Sequence, residues 1–167
     1  MATKSPAKKT SSAAASNDAT KLLMQDHKEV HALFEQYKKL AESGADASER
    51  QSLAAEICNM LTVHATAEEE IFYPAAREAD VDSDLLDEAE VEHASAKDLI
   101  AQIESMGADD DLFDAKVTVL GEYIDHHVKE EEGELFPKCR KADMDLAALG
   151  EELAARKSEL MAELPEA

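Results

Sequence analysis

His64-Ala65-Thr66-Ala67-Glu68-Glu69-Glu70-Ile71-Phe72-Tyr73-Pro74 decides how this chain is read, because an altered copy returns sixty-three residues later as His127-Val128-Lys129-Glu130-Glu131-Glu132-Gly133-Glu134-Leu135-Phe136-Pro137. In both copies a Glu follows a His by four residues, and an aromatic residue and a Pro close the stretch. Residues four apart on a helix lie one above the other, so each copy presents an imidazole and a carboxylate on one face. Two such pairs on facing helices are the arrangement from which metal sites inside helix bundles are built.

Outward from these stretches the chain divides into helical segments. A first helix starts at Asn17 or Asp18 as N-cap, runs to about Ser43 and stops at Gly44, with Leu23, His27, Val30, Phe34, Tyr37 and Ala41 on one stripe. The second, from Asp46 or Ser48, carries Leu53, Ile57, Met60, His64, Glu68 and Ile71, with Pro74 expected to end or kink it. Past the acidic turn at Asp80 to Asp84, a third helix aligns Leu86, Ala89, His93, Ala96, Ile100 and Ile103 and stops at Gly107. Asp109 to Asp111 are expected to cap a fourth, with Phe113, Val117, Leu120, Ile124, His127, Glu131 and Leu135, closed by Pro137. Every one of these stripes buries a histidine, and two bury a carboxylate as well.

The repeat extends beyond the two quoted stretches. Asp26-His27 ahead of Leu33-Phe34 is matched by Glu92-His93 ahead of Leu99-Ile100, and each is followed by a His-x-x-x-Glu helix. Residues 18–78 and 82–141 thus read as two copies of a helical hairpin related by a pseudo-two-fold axis. The fold expected is all-α: an up-down-up-down four-helix bundle over 18–141. It follows a disordered basic tail over 1–17 and precedes a C-terminal helical extension over 142–167, whose leucines pack outside the bundle or mediate self-association.

Composition supports this and excludes several functions. Apolar residues make up 44% of 167, aromatics only 4%, and Gly and Pro together number nine, which favours helices around one domain-sized core. The formal charge is −21, and nearer −24 without the tail, whose Lys4, Lys8 and Lys9 contribute +3. Such a surface repels phosphate backbones and anionic membrane faces, so neither nucleic acid nor membrane is an expected partner. No stretch is long and apolar enough to span a bilayer, and the Ala13-Ala14-Ala15 run is too short for a signal-peptide core. Cys58 and Cys139 are too few for a disulfide framework and read as reduced thiols of a cytoplasmic protein, Cys139 as a free surface thiol without a role.

A lone histidine on an apolar face is usually a hydrogen-bonded core residue. Buried carboxylates are harder to accommodate, because an ionised one is rarely tolerated unpaired. Four seam histidines and two seam glutamates together point to a bound cation that offsets their charge. Mixed imidazole and carboxylate ligation suits iron or manganese, with zinc also open. The flanking Glu69-Glu70 and Glu130–Glu132 belong to the solvated face or to an outer layer around the site.

With His27, His64-x-x-x-Glu68, His93, His127-x-x-x-Glu131 and the aromatic-Pro endings in hand, the chain resembles the hemerythrin-like HHE cation-binding domain over about residues 18–141. The resemblance implies a four-helix bundle holding two non-haem iron ions. It makes His27, His64, His93 and His127 terminal nitrogen ligands and Glu68 and Glu131 bridges. Oxygen-carrying hemerythrins have a further histidine on the third helix where this chain has Lys97, and space the last His and an Asp by five. Here His127 and Glu131 are four apart, which is more similar to the four-histidine, two-glutamate branch that includes iron–sulfur-centre repair proteins. His31, four residues after His27 and repeat-equivalent to Lys97, is a further candidate ligand. His126 with Glu130 forms a competing pair, but alignment to Pro137 selects His127 and Glu131.

Three function classes follow. The preferred one is a metal-binding protein that takes oxygen or nitric oxide as a small ligand for storage, transport or sensing. An enzyme or stress protein that reduces peroxide or nitric oxide, or donates iron for repair, is the second; a purely structural metal site is the third. No residue set beyond the ligands announces acid–base or nucleophilic catalysis, and Tyr37, Tyr73 and Tyr123 read as packing. The seam residues Phe34, Ile57, Leu61, Ile100, Leu120 and Ile124 are expected to admit a neutral diatomic while excluding bulk water and larger molecules.

Overall fold

Aspartates start most of the helices. In the computed structural model, which describes residues 18–164, Asp18, Asp46, Asp82 and Asp145 each accept a backbone N–H from the first turn that follows, at 2.9–3.3 Å. These caps open α1 (Ala19–Glu42), α2 (Ala47–Ala67), α4 (Ser83–Glu104) and α7 (Leu146–Glu163). The remaining elements are α3 (Tyr73–Glu78), α5 (Phe113–Glu130) and α6 (Phe136–Lys141). The expected disordered tail over 1–17 lies outside the described residues.

Three of the expected helix boundaries differ. The cap expected from Asp109 to Asp111 is not a side-chain cap on α5: Leu112 is its N-cap residue, and the Asp110 carboxylate accepts the Leu112 N–H at 3.1 Å, forming a turn ahead of the helix. Pro74 and Pro137 do not close their helices either. A π-helical turn, Glu68–Phe72 in the first half and Glu131–Leu135 in the second, joins α2 to α3 and α5 to α6, and each rod continues past its proline. A proline inside an α-helix loses its N–H and drives its ring into the carbonyl four residues back. Here the N–H of Tyr73 bonds Glu68 O and that of Phe136 bonds Glu131 O, five residues back. The proline then sits at the start of the next α segment, where a missing N–H costs little.

Left-handed residues turn the chain back within the first hairpin and between the two. Gly44 (φ 72°) follows α1 and Asp80 (φ 57°) follows α3. Around them Ala45 N–H bonds Leu40 O and Val81 N–H bonds Ala76 O, both at 3.0 Å, the six-to-one bond that satisfies the last carbonyls of a helix. With these short links α1 lies against α2, and α4 against α5. Contacts of α1 with α5 and of α2 with α4 close the ring of four.

The core splits into two apolar clusters. One gathers Val30, Tyr37, Leu53, Ile57, Leu61, Ile100, Phe113, Val117 and Leu120, the other Leu23, Phe72, Tyr73, Leu86, Leu135, Phe136, Cys139 and Leu153. Between them runs a buried polar layer. Its histidines continue the apolar stripes, His27 between Leu23 and Val30, His93 between Ala89 and Ala96.

The C-terminal helix α7 packs outside the ring against α1, α2 and the first π turn, with Leu153 fully buried. Arg156 pins it, donating from Nε to Glu70 Oε2 at 2.7 Å. Cys139 is not the surface thiol expected. It is fully buried beside Phe136, and burial followed by the charge of Glu131 pushes its thiol up to about 12; burial does the same to Cys58. Neither is a reactive thiolate.

Candidate metal centre

Helix periodicity delivers six side chains to the polar layer: His27 from α1, His64 from α2, His93 from α4, His127 from α5, and Glu68 and Glu131 from the first position of each π turn. Glu68 is 0% and Glu131 2% exposed. A π turn contains one more residue than the α-turn it replaces and is frequent at functional sites. Each π turn begins at the seam carboxylate, so His and Glu keep their i, i+4 stacking while the aromatic that follows is re-aimed into the core.

The donor atoms converge without satisfying one another. His64 Nε2 lies 2.5 Å from Glu68 Oε1, and His93 Nε2 lies 3.8 Å from the same oxygen. His27 Nε2 is 3.2 Å from Glu131 Oε1, and His127 Nε2 is 3.1 Å from Glu131 Oε2. Each carboxylate therefore faces a histidine from both halves of the repeat. Yet His64 Nε2, both nitrogens of His27, both oxygens of Glu68 and Glu131 Oε1 make no hydrogen bond. Buried polar atoms left without partners cost roughly 1–3 kcal/mol each, more when charged. Two cation-sized groupings result, His27 with His64, Glu68 and Glu131, and Glu68 with His93 and His127. This donor set fits metal: nitrogen and oxygen atoms, buried, unsatisfied and pointed at common centres.

An outer layer of carboxylates backs the histidines in a pattern that follows the pseudo-two-fold. Within each half, the acid preceding the first histidine holds the second: Asp26 Oδ2 meets His64 Nδ1 at 2.8 Å, and Glu92 Oε1 meets His127 Nδ1 at 3.0 Å. Across the halves, the acid following each seam glutamate reaches the first histidine of the other half. Glu69 Oε2 lies 3.2 Å from His93 Nδ1, and Glu132 Oε2 lies 3.8 Å from His27 Nδ1. The three hydrogen-bonded partners, Asp26, Glu92 and Glu69, fix the ring tautomers of His64, His127 and His93 and aim the other nitrogen inward, while Glu132 adds only a nearby charge beside His27. Burial works to lower the pKa of His64 and His127, but the surrounding carboxylates outweigh it and raise them to about 10 and about 11. Burial alone would raise Glu131, while His127 and His27 hold it well below the usual carboxylate range.

Tyr73, which the sequence suggested was packing, belongs to the site. Its hydroxyl donates to Glu131 Oε2 at 2.6 Å and lies 3.2 Å from His93 Nε2 and 3.4 Å from His127 Nε2. Burial, then the charges of Glu131 and Glu68, raise it well above 10, so it stays a neutral donor. The available signal was its alignment with Phe136 at the same offset in the repeat, with a polar tip added. Tyr37 instead donates to Asp114 at 2.5 Å, far from the site along the bundle, and Tyr123 is half-exposed.

His31 does not reach the cluster. Its side chain is 59% exposed and faces Asp125 at 3.5 Å, because a step of four residues also turns about 40° around the helix, here off the seam. Its repeat equivalent Lys97 is likewise at the surface, paired with Glu69 at 2.5 Å. His126 is 67% exposed against Glu130 and Glu92, leaving His127 and Glu131 as the inward pair.

Residues 18–139 match the model of the hemerythrin HHE cation-binding domain. The chain belongs to this family. A solved hemerythrin HHE cation-binding domain-containing protein from Mycobacterium kansasii has the same fold, with a TM-score of 0.71 and 23% identity over 87% of this chain and 88% of its own. A protein of Nostoc sp. (strain PCC 7120 / SAG 25.82 / UTEX 2576) named DNA nickase is 30% identical over 119 residues, 71% of this chain but 32% of that protein. The hemerythrin chain thus spans about a third of this relative's length.

The hemerythrin cluster opens to solvent. A cavity of about 1160 Å³ reaches His27, His64, His93 and His127 and is walled by Val30, Leu53, Leu61, Ala96, Ile100 and Ile124. Its volume corrects the expectation of a seam that excludes larger molecules, since pockets for small organic ligands span about 300–1,000 Å³. Leu61, Ile100 and Ile124 line it, whereas Phe34, Ile57 and Leu120 close the core beyond it.

Proposed function

We propose that this hemerythrin-like chain holds two iron ions in the buried cluster and takes oxygen or nitric oxide as a small ligand, for storage, transport or sensing. His27 and His64 would hold one ion, His93 and His127 the other, with Glu68 and Glu131 bridging. The observation that carries this is the set of six unsatisfied buried polar atoms on His27, His64, Glu68 and Glu131, next to a cavity that the four histidines border. Iron in such a site supplies redox equivalents and coordination positions that the protein leaves free. The protein's part is to orient His64, His93 and His127 through Asp26, Glu69 and Glu92, and to offer an apolar approach along Val30, Ala96 and Ile100 that favours a neutral ligand. Both cysteines are free, in keeping with a reducing cytoplasm. Among the described residues no helix is long and apolar enough to cross a membrane.

A second reading, reduction of peroxide or nitric oxide, is favoured by Tyr73, whose hydroxyl oxygen lies 2.6 Å from Glu131 Oε2 and so puts a donor proton beside a carboxylate that would bridge the ions. Action on DNA, raised by the name of the cyanobacterial relative, is opposed by the −21 charge, which repels a phosphate backbone. Metal analysis of the purified chain, with optical spectra of the anaerobically reduced sample before and after each gas, tests the proposal. Two irons per chain and a spectral change with oxygen or nitric oxide are expected. One ion per chain at saturation, or an iron-loaded sample unchanged by both gases, overturns it. Rapid multiple turnover with peroxide or nitric oxide and a reductant would select the enzyme.

A further inference from the structure

We infer that Lys157, on the helix outside the four-helix ring, is a positioning residue of the metal centre that acts through Asp26 on His64. The inference rests on the proposal that His64 binds metal. Asp26 uses its two oxygens on two different partners: Oδ1 takes an ion pair from Lys157 Nζ, and Oδ2 meets His64 Nδ1 at 2.8 Å. The side chains of Lys157 and Asp26 are 24% and 10% exposed, so this pair is shielded as surface pairs are not. His64 then has its other nitrogen, unsatisfied, 2.5 Å from Glu68 Oε1. An imidazole whose Nδ1 is committed to a carboxylate must present Nε2 to whatever lies in the cluster.

The opposite half shows what Lys157 adds. Glu92 holds His127 as Asp26 holds His64, but its second oxygen faces the exposed His126 at 3.5 Å rather than a fixed cation. A full positive charge behind Asp26 reduces the negative charge that this carboxylate projects through His64 onto a bound ion. Lys157 therefore makes the two halves of a repeat-built site unequal, and the difference comes from an element outside the repeat. Lys157 also borders the cavity beside His27 and His64, so α7 forms part of the site's wall. Helix docking alone is the competing role, and the neighbouring Arg156 separates the two: it pins the same helix to the bundle through Glu70.

The test uses the full chain as wild type, Lys157→Met, Lys157→Arg and Arg156→Ala. An anaerobic redox titration of the iron-loaded forms gives the midpoint potential. Nitrogen-15 NMR of the zinc-loaded and metal-free forms follows the His64 Nδ1 proton. Lys157→Met is expected to lower the potential, because the ferric state gains from the uncovered Asp26 charge, and to shift the His64 Nδ1–H signal, because Asp26 becomes a stronger acceptor without its cation. Lys157→Arg restores both, and Arg156→Ala changes neither while lowering the melting temperature. The inference is overturned if Lys157→Met keeps both properties, or if Arg156→Ala shifts them equally. A chain that takes up no metal fails the earlier proposal instead, and its metal-free spectrum still decides the role of Lys157.

Discussion

Tyr73 and Phe136 hold the same place in the two halves of the molecule, and only Tyr73 carries a hydroxyl into the cluster. Its oxygen lies 2.6 Å from Glu131 Oε2, whereas the Phe136 ring stacks on His27 with centroids 6.1 Å apart and planes 3° from parallel. One side of the polar layer thus receives a hydrogen-bond donor and the other an apolar lid.

Tyr73→Phe removes the donor and keeps the ring. Hydrogen bonds to charged groups contribute about 1.5–3 kcal/mol, so the unfolding free energy of the metal-free variant, read from denaturant titration, should fall by about that much. Metal content should stay at the wild-type value, because the six proposed ligands are untouched. Loss of metal on this substitution would promote Tyr73 from donor to ligand.

His127→Ala and Glu131→Ala should each lose metal and heat stability together, while His126→Ala and Glu130→Ala stay near wild type. Removing one partner of a buried charged pair costs about 3–5 kcal/mol, against about 0.5 kcal/mol for a surface change. The contrast rests on burial: His127 is 6% and Glu131 2% exposed, while the His126 side chain is 67% exposed. Metal analysis beside melting curves checks the ranking, and the reverse order would mean that the other pair on α5 serves the site.

The metal-free and metal-loaded proteins should respond oppositely to rising pH. In the metal-free protein His64 and His127 are raised to about 10 and about 11 from an ordinary 6.5. A raised imidazole stabilises the fold fully below its unfolded pKa and loses that contribution as pH climbs through its folded one. The metal-free melting temperature should therefore fall between about pH 7 and pH 10. Nitrogen ligands must be deprotonated to hold metal, so apparent metal affinity should rise across the same window. Parallel melting curves for the two forms would show that these histidines are not charged in the empty cluster.

Much of this was legible in the sequence because helical period and buried polarity leave the same mark. His27, His64, His93 and His127 interrupt apolar stripes at matching points, and that pattern alone placed them in one layer with Glu68 and Glu131. The π turns were not legible. Pro74 and Pro137 signal a break, and only the backbone bonds from Tyr73 to Glu68 and from Phe136 to Glu131 show that each rod continues instead. Asp26 and Glu92 were visible as repeat partners of each other, but a residue one step before a seam position points about 100° away from it. Whether it meets solvent or a neighbour's histidine depends on where the next helix stands. Lys157 is further still from any local signal, 93 residues from the histidine it influences.

The cavity makes a last prediction, about access. Ala96 stands between His93 and Ile100 on α4, buried and lining the cavity that reaches all four histidines. Ala96 borders the cavity on one side, so a phenyl ring there can turn into it, and Ala96→Phe should cost no more than the ~1–3 kcal/mol typical of overpacking a filled core. The six clustered side chains keep their positions, and metal content should match wild type. The ring narrows the apolar approach beside His93, so the reduced, iron-loaded variant should react with nitric oxide or oxygen more slowly, by about tenfold if one barrier near 1.4 kcal/mol is added. Stopped-flow traces of the optical change, with the end point compared to wild type, separate a slower entry from an altered centre. An unchanged rate would mean that ligands reach the cluster by another route, and a changed end point would mean that Ala96 shapes the site itself.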